Sequence, residues 1–509
     1  MVEPTPSPPP ASPAAERSAP RDRPAAGQGR DGRSGRPAAS APASSAPRWW
    51  VALGVLGLLG VAIFLVLRAP TDAAPGAVER EPGIGGASAM PPALGGQGSV
   101  LAPAPRCRLD PAAAPFRVGD DAPAASAVAP KPTAADAADE EQPLAPPTVV
   151  LGRAARARFG YAIGVRRDAG GGAVAEVALV AASGGPGRLL ALGKTRGDLD
   201  APLVLRDGDG LAAALLEPQA SGFSLRIAKV TGDEVHWAAE LPVARGESLA
   251  FDLALGEAKA VATWDEIARD GERSEVRVAV LDRASLGVVQ KPTVLSGGDT
   301  DAEQPQVVPR PGGFWLAYVA RRAVKLPPQP TDKDLRRDPQ EDQHPAELIE
   351  PSWLELVPLD ETGARSGPPR PVTPRDGHVQ TFDLAADPQG GALLAWRDDD
   401  TPTGAEGGRL GMISVGMAGV GEPRVVASED VGLGAPLLLG GWLAASDAEG
   451  RIRLAPLLPS GELAGELRTE AGLGPGQVLA AEPDSLLVAR PTARGAEVVL
   501  VRCELRDGG

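Results

Sequence analysis

The chain has 509 residues, 43% of them hydrophobic, with 51 Lys and Arg against 66 Asp and Glu and a formal net charge of −15. Acidity with scattered charges excludes nucleic acid as the main partner, because phosphate binding needs a basic stripe. The three histidines, His236, His344 and His378, never fall in HxH or HExxH spacing, so no zinc site is indicated.

Residues 1–48 are Pro, Ala, Ser, Gly and Arg with almost no large apolar side chain. Such a segment cannot bury enough surface to offset its backbone entropy, and it reads as a disordered tail. Its seven arginines against four acids give +3, leaving −18 for the rest. Trp49 to Leu67 is nineteen residues without a charge, long enough for a transmembrane helix. The Arg excess before it predicts a cytoplasmic N-terminus and a single-pass anchor in a bacterial inner membrane, with the C-terminal part periplasmic or extracellular. A cleavable signal peptide is the rival, but the apolar core is longer and the preceding region far longer than such peptides carry. Residues 68–105 read as a Pro/Gly/Ala-rich linker, and 106–147 as a closing strand followed by a second linker.

From Gly160 onward one phrase recurs: an apolar run, one larger residue, then a charged or polar turn. Aligned on Val165, Leu216, Trp264, Tyr318, Trp396, Ala445 and Ala489, it steps by 51, 48, 54, 78, 49 and 44 residues. The run "GGALLAWRDDD" suits a strand buried on both faces, and "RLGMISVGMAGVGEP" a second strand after a turn. Four short strands per unit of about 50 residues describe an all-β, seven-bladed β-propeller over 148–509. The long step holds a charged, Pro-rich insertion, 321–350, between two strands of blade four. "EVVLVRCELRDGG" ends one strand short of a blade, so Phe116 to Val118 is expected to complete blade seven. Cys107 and Cys503, the only cysteines, flank the two partner strands, and a disulfide between them is expected.

Chemical motifs are weak. Asp299, Asp301 and Asp398 to Asp400 could offer calcium oxygens, but no DxDxDG loop is present and acidic turns fit as well. No Walker or GxGxxG pattern follows a strand and opens a helix, and no GxSxG elbow occurs. "SDAEGRI" at Ser446 departs from the sialidase Asp box in its Ser–Asp spacing and lacks the closing Trp. Trp264, Trp315, Trp396 and Trp442 lie on or beside the recurring strand, which suits packing between blades better than sugar stacking. No catalytic, cofactor-binding or metal-binding residue is assigned.

The phrases "GGALLAWRDDD…RLGMISV" and "PGGFWLAYVARR…SWLELVPLDETG" resemble uncharacterised, membrane-anchored extracytoplasmic β-propeller repeat proteins of GC-rich bacteria. The resemblance spans about 148–509 and implies architecture only. A binding or scaffold module for an envelope protein or glycan is therefore expected. The alternative is a glycan-active hydrolase or lyase with carboxylates at the propeller mouth, since such pairs come from distant blades.

Overall fold

Each unit folds into a four-stranded antiparallel blade whose first strand lies innermost. The computed structural model describes residues 106–119 and 149–504, apart from 170–171, 186, 245–248, 269–270, 272, 323–350, 388, 400–407, 417–418, 430–433, 471 and 493–494. The tail, the apolar segment 49–67, the linker 68–105 and nearly all of the insertion lie outside the described residues.

Blade 1 is Val149–Ala157, Gly160–Ala169, Gly172–Ala181 and Arg188–Thr195. Blade 2 is Leu203–Asp207, Gly210–Gln219, Gly222–Thr231 and Glu234–Val243. Blade 3 is Phe251–Leu255, Lys259–Ile267, Ser274–Asp282 and Val288–Val294. Blade 4 is Thr300–Arg310, Gly313–Arg322, Ser352–Asp360 and the short Arg370–Pro371. Blade 5 is Val379–Ala386, Ala392–Asp399 and Gly408–Gly416, with an outer edge split into Gly419–Val420 and Arg424–Glu429. Blade 6 is Leu437–Leu439, Trp442–Ser446, Ile452–Pro456 and Arg468–Thr469. Blade 7 takes Gln477–Glu482, Ser485–Pro491 and Ala496–Glu504 from the C-terminal end. Every regular element among the described residues is a strand.

The second strand of a blade is apolar on both faces because a blade stands on either side of it. In Lys259–Ile267, Ala260, Ala262 and Trp264 pack against blade 2, while Val261 packs against blade 4. The buried apolar side chains of the described residues form seven clusters, each shared by two adjacent blades. Seven interfaces for seven blades means that the ring is closed.

Blade 7 closes as expected, and with more chain than expected. Phe116–Val118 pairs antiparallel with Val498 to Ala496, and Arg106–Leu109 pairs with Glu504 to Val501. The outer strand is thus one interrupted strand, and Cys107 lies within it rather than beside it. It stands directly opposite Cys503, to which it is disulfide-bonded. Phe116 and Val118 also enter the blade 7–blade 1 cluster with Tyr161, Ile163 and Val498.

One detail of the repeat is corrected. Val165, Trp264, Tyr318, Trp396 and Ala445 each face the preceding blade, but Leu216 and Ala489 face the following one. Their neighbours Leu215 and Val488 hold the equivalent place. The 78-residue step is explained by Gly313–Arg322 pairing with Ser352–Asp360, Arg321 opposite Ser352, so the insertion leaves between the second and third strands of blade 4.

Candidate functional site

The innermost strands place one register position of several blades at the axis. Asp252 lies opposite Thr263, Gln306 opposite Ala317, Asp383 opposite Ala395 and Leu437 opposite Ala444. Three of these side chains reach into the next blade's innermost strand. Asp252 Oδ2 accepts from Val307 N (2.8 Å), Gln306 Oε1 from Leu384 N (2.8 Å), and Asp383 Oδ2 from Leu438 N. Gln306 Nε2 also donates to Phe382 O (2.9 Å). Blades 3, 4, 5 and 6 are therefore stitched in series at the axis. Leu437 of blade 6 cannot continue the series.

Arg153 comes from the far side. It sits in a register irregularity of Val149–Ala157 in blade 1, and its Nη2 donates to Asp383 Oδ1 of blade 5. The guanidinium crosses the ring axis, 35% exposed, to a fully buried carboxylate. Burial works against the Arg153 charge, and the Asp383 carboxylate more than offsets it, holding its pKa above the ordinary value. Asp252 is enclosed by the surrounding blades, and burial pushes its carboxyl up to about 6. The Val307 and Leu253 N–H groups and the Arg153 charge oppose that rise, while the Asp383 charge adds to it.

These are convergent acids with an arginine, the set that a glycan hydrolase would need at its mouth. Their oxygens are nevertheless engaged. Asp252 Oδ1 accepts from Leu253 N and Oδ2 from Val307 N. Asp383 Oδ1 takes Leu384 N and Arg153, and Oδ2 takes Leu438 N. A general acid or nucleophile must reach substrate. These two carboxylates instead hold strands together.

The charged end of the repeated phrase also has a structural role. On the upper face, where the innermost strands begin, each blade holds an Arg–carboxylate pair. They are Arg167–Glu176 (2.9 Å), Arg226–Glu217 (2.8 Å), Arg277–Glu266 (2.5 Å), Arg375–Glu355 (3.3 Å), Arg397–Asp399 (2.6 Å), Arg451–Asp447 (2.7 Å) and Arg117–Glu497 (3.3 Å). Of the residues considered for calcium, Asp398 accepts from His378 N, Asp399 pairs with Arg397 and Asp301 accepts from Ser274 N. Asp400 lies outside the described residues. No cluster of three metal-ligating side chains occurs among the described residues.

His236 lies on the outer strand of blade 2 beside Glu234, and His344 lies outside the described residues. The four tryptophans are buried: Trp264 Nε1 donates to Glu266, Trp315 Nε1 to Gly390 O of blade 5, and Trp442 Nε1 to Glu482 O of blade 7. Their indoles join neighbouring blades rather than offer a stacking platform. The axial residues themselves were not found by motif. A signal existed: "FDLA" occurs at Phe251 and again at Phe382, placing Asp252 and Asp383 identically in two blades.

Fold and axis together define a disulfide-closed, seven-bladed β-propeller. No protein-family model and no curated protein sequence matches the chain. Among solved structures it is similar to BamB from Moraxella catarrhalis, at 16% identity and a TM-score of 0.31, covering 69% of this chain and 83% of that one. The GH93 α-L-arabinofuranosidase of Fusarium graminearum is 12% identical with a TM-score of 0.36, over 60% of this chain and 91% of that one. A puromycin-hydrolyzing peptidase of Mycobacterium tuberculosis is 16% identical with a TM-score of 0.39, over 70% of this chain and 54% of that one. At these identities the similarity concerns the fold alone.

Proposed function

We propose that the protein is a membrane-tethered extracytoplasmic binding or scaffold module of the bacterial envelope, whose partner is an envelope protein or glycan. The observation that carries this reading is the engagement of the axial acids: Asp252 and Asp383 stitch blades instead of facing a substrate. The Cys107–Cys503 bond supports an oxidising compartment, where such bonds form and persist. The nineteen-residue apolar segment Trp49 to Leu67 supports a tether.

The test uses the full chain in its own cells. Protease added to spheroplasts should digest the propeller while sparing the tail 1–48, and photo-crosslinkers placed on the ring surface should give discrete envelope adducts. Purified chain that cleaves envelope glycan, and stops doing so in Asp252→Asn, would overturn the binding reading.

A further inference from the structure

The lower face carries the seven turns that join first and second strands, and the internal repeat makes them comparable. Across the two-residue turns of blades 2, 4, 6 and 7 the residues are Gly208 and Asp209, Pro311 and Gly312, Gly440 and Gly441, and Pro483 and Asp484. Blades 3 and 5 use longer turns rich in Gly, Glu, Asp and Gln. Blade 1 alone presents Arg158 and Phe159. Nothing in the turn requires that pair. The strained conformation falls on Gly160 (φ +148°), where a Cβ would sit 2.1 Å from Val180 O.

Phe159 is 44% exposed at the turn's tip, and Leu189 on the outer strand of the same blade is 40% exposed. Beside Phe159 lies a groove of about 410 Å³ between blades 1 and 2, lined also by Arg158, Arg188, Asp209, Leu211 and Val230. Its volume falls in the range of ligand pockets, and Leu211 and Val230 give it an apolar floor. Arg188 spans the two blades, pairing with Asp233 and donating to Gly232 O. Arg158 is exposed and pairs with nothing among the described residues. Asp209 and the Arg188–Asp233 pair share the groove with it, so the local balance is neutral on a chain of net charge −15, and Arg158 is the lining cation left to take a carboxylate from outside.

We propose that this groove docks an extended acidic peptide segment of a partner protein, with an apolar side chain against Phe159 and Leu211 and a carboxylate on Arg158. The proposal rests on the reading of the ring as a binding module and names where on the ring binding occurs. Exposed aromatic and arginine side chains are the usual anchors of such contacts, and an arginine can hold a carboxylate in bidentate fashion. A recessed groove suits a side chain better than the flat surface of a bilayer.

The probes are the acetylated, amidated hexapeptide DELFDE and its charge-reversed counterpart KKLFKK, titrated into the purified full-length chain in neutral detergent. Amide hydrogen exchange reads the turns 157–160, 207–211 and 230–234. The acidic peptide should protect all three turns, and Phe159→Ser should weaken its binding at least tenfold. Arg158→Glu should shift the preference to the basic peptide, a reversal that loss of folding cannot mimic. Leu458→Ser, at an exposed position on a blade 6 turn, should change neither result. Protection confined to other regions, or binding unaltered in both groove variants, overturns the proposal. Protection that needs phosphatidylglycerol in the micelles and no peptide assigns the surface to lipid, and overturns it equally. Envelope adducts of the ring that persist in Arg158→Glu would leave the binding module standing and dismiss the groove.

Discussion

Asp383→Ala should be the most damaging single change at the axis. The side chain is fully buried and has three donors: Leu384 N, Leu438 N and the Arg153 guanidinium. Leu384 N keeps an acceptor in Gln306 Oε1, but Leu438 N loses the carboxylate that joins blade 5 to blade 6. Stranding a buried N–H costs about 1–3 kcal/mol. Breaking a buried ion pair costs about 3–5 kcal/mol, a figure to be lowered here because Arg153 is 35% exposed and can rehydrate. Together the loss should be about 3–5 kcal/mol. Arg153→Met should cost about 2–4 kcal/mol, since Asp383 keeps its two backbone donors but its fully buried carboxylate loses its counter-charge. Guanidinium unfolding of the oxidised chain, followed through its eight tryptophans, measures both variants. The double variant Arg153→Met/Asp383→Ala should show a coupling of about 1 kcal/mol or more. An Asp383→Ala midpoint within about 1 kcal/mol of the parent, or additive single effects, would refute the axial stitch.

Cys107→Ser or Cys503→Ser should lower stability by about 2–5 kcal/mol, because the bond closes a loop over a sequence separation of 396; the same unfolding experiment with and without reductant checks it. Asp252 has a folded pKa of about 6, above its ordinary value near 3.8. The folded state therefore binds the proton more tightly, and stability should fall as pH rises between about 4 and 6, then level off. Asp252→Asn should flatten that segment of the stability–pH curve, and an unchanged slope would assign it to other groups. Gly164→Ala should cost at least about 3 kcal/mol or prevent folding, as its Cβ would lie 1.7 Å from Pro202 O where blades 1 and 2 meet; soluble expression and melting temperature would show it.

The architecture was legible because a strand held between two blades must be apolar on both faces, and seven such strands recur. Where a bulky residue marks the face, as at Trp264, Tyr318 and Trp396, the phase of the repeat was correct. Where the run is only small and aliphatic, as in "LAAALLEP" at Leu216 or "SLLVAR" at Ala489, no side chain betrays which face is which. The slip is one residue. In blade 7 the innermost strand adds an irregularity between Val478 and Ala480, which breaks the count again. Blade closure was legible for a different reason. A strand missing at one end and a lone cysteine at each end point to the same juxtaposition, and the pairing of Cys107 with Cys503 carries it.

The axis was hidden because its partners come from blades far apart in sequence. Arg153 and Asp383 are separated by 230 residues, and nothing local in "LGRAARA" foretells a carboxylate across the ring. The repeat could still have exposed half of it, since "FDLA" twice places an acid in an innermost strand that should be apolar. An acid there either does chemistry or holds backbone, and hydrogen bonding decides between them. Asp252 and Asp383 hold backbone. With the throat committed to structure, departures from the repeat at the surface become the informative ones. Phe159 is such a departure: the only aromatic among the seven turns of the lower face, exposed where a Gly, Pro or acidic residue would suffice. Phe159 lines a recess with Leu211 and Val230, which separates it from singly exposed side chains, such as Leu458, that any protein surface carries.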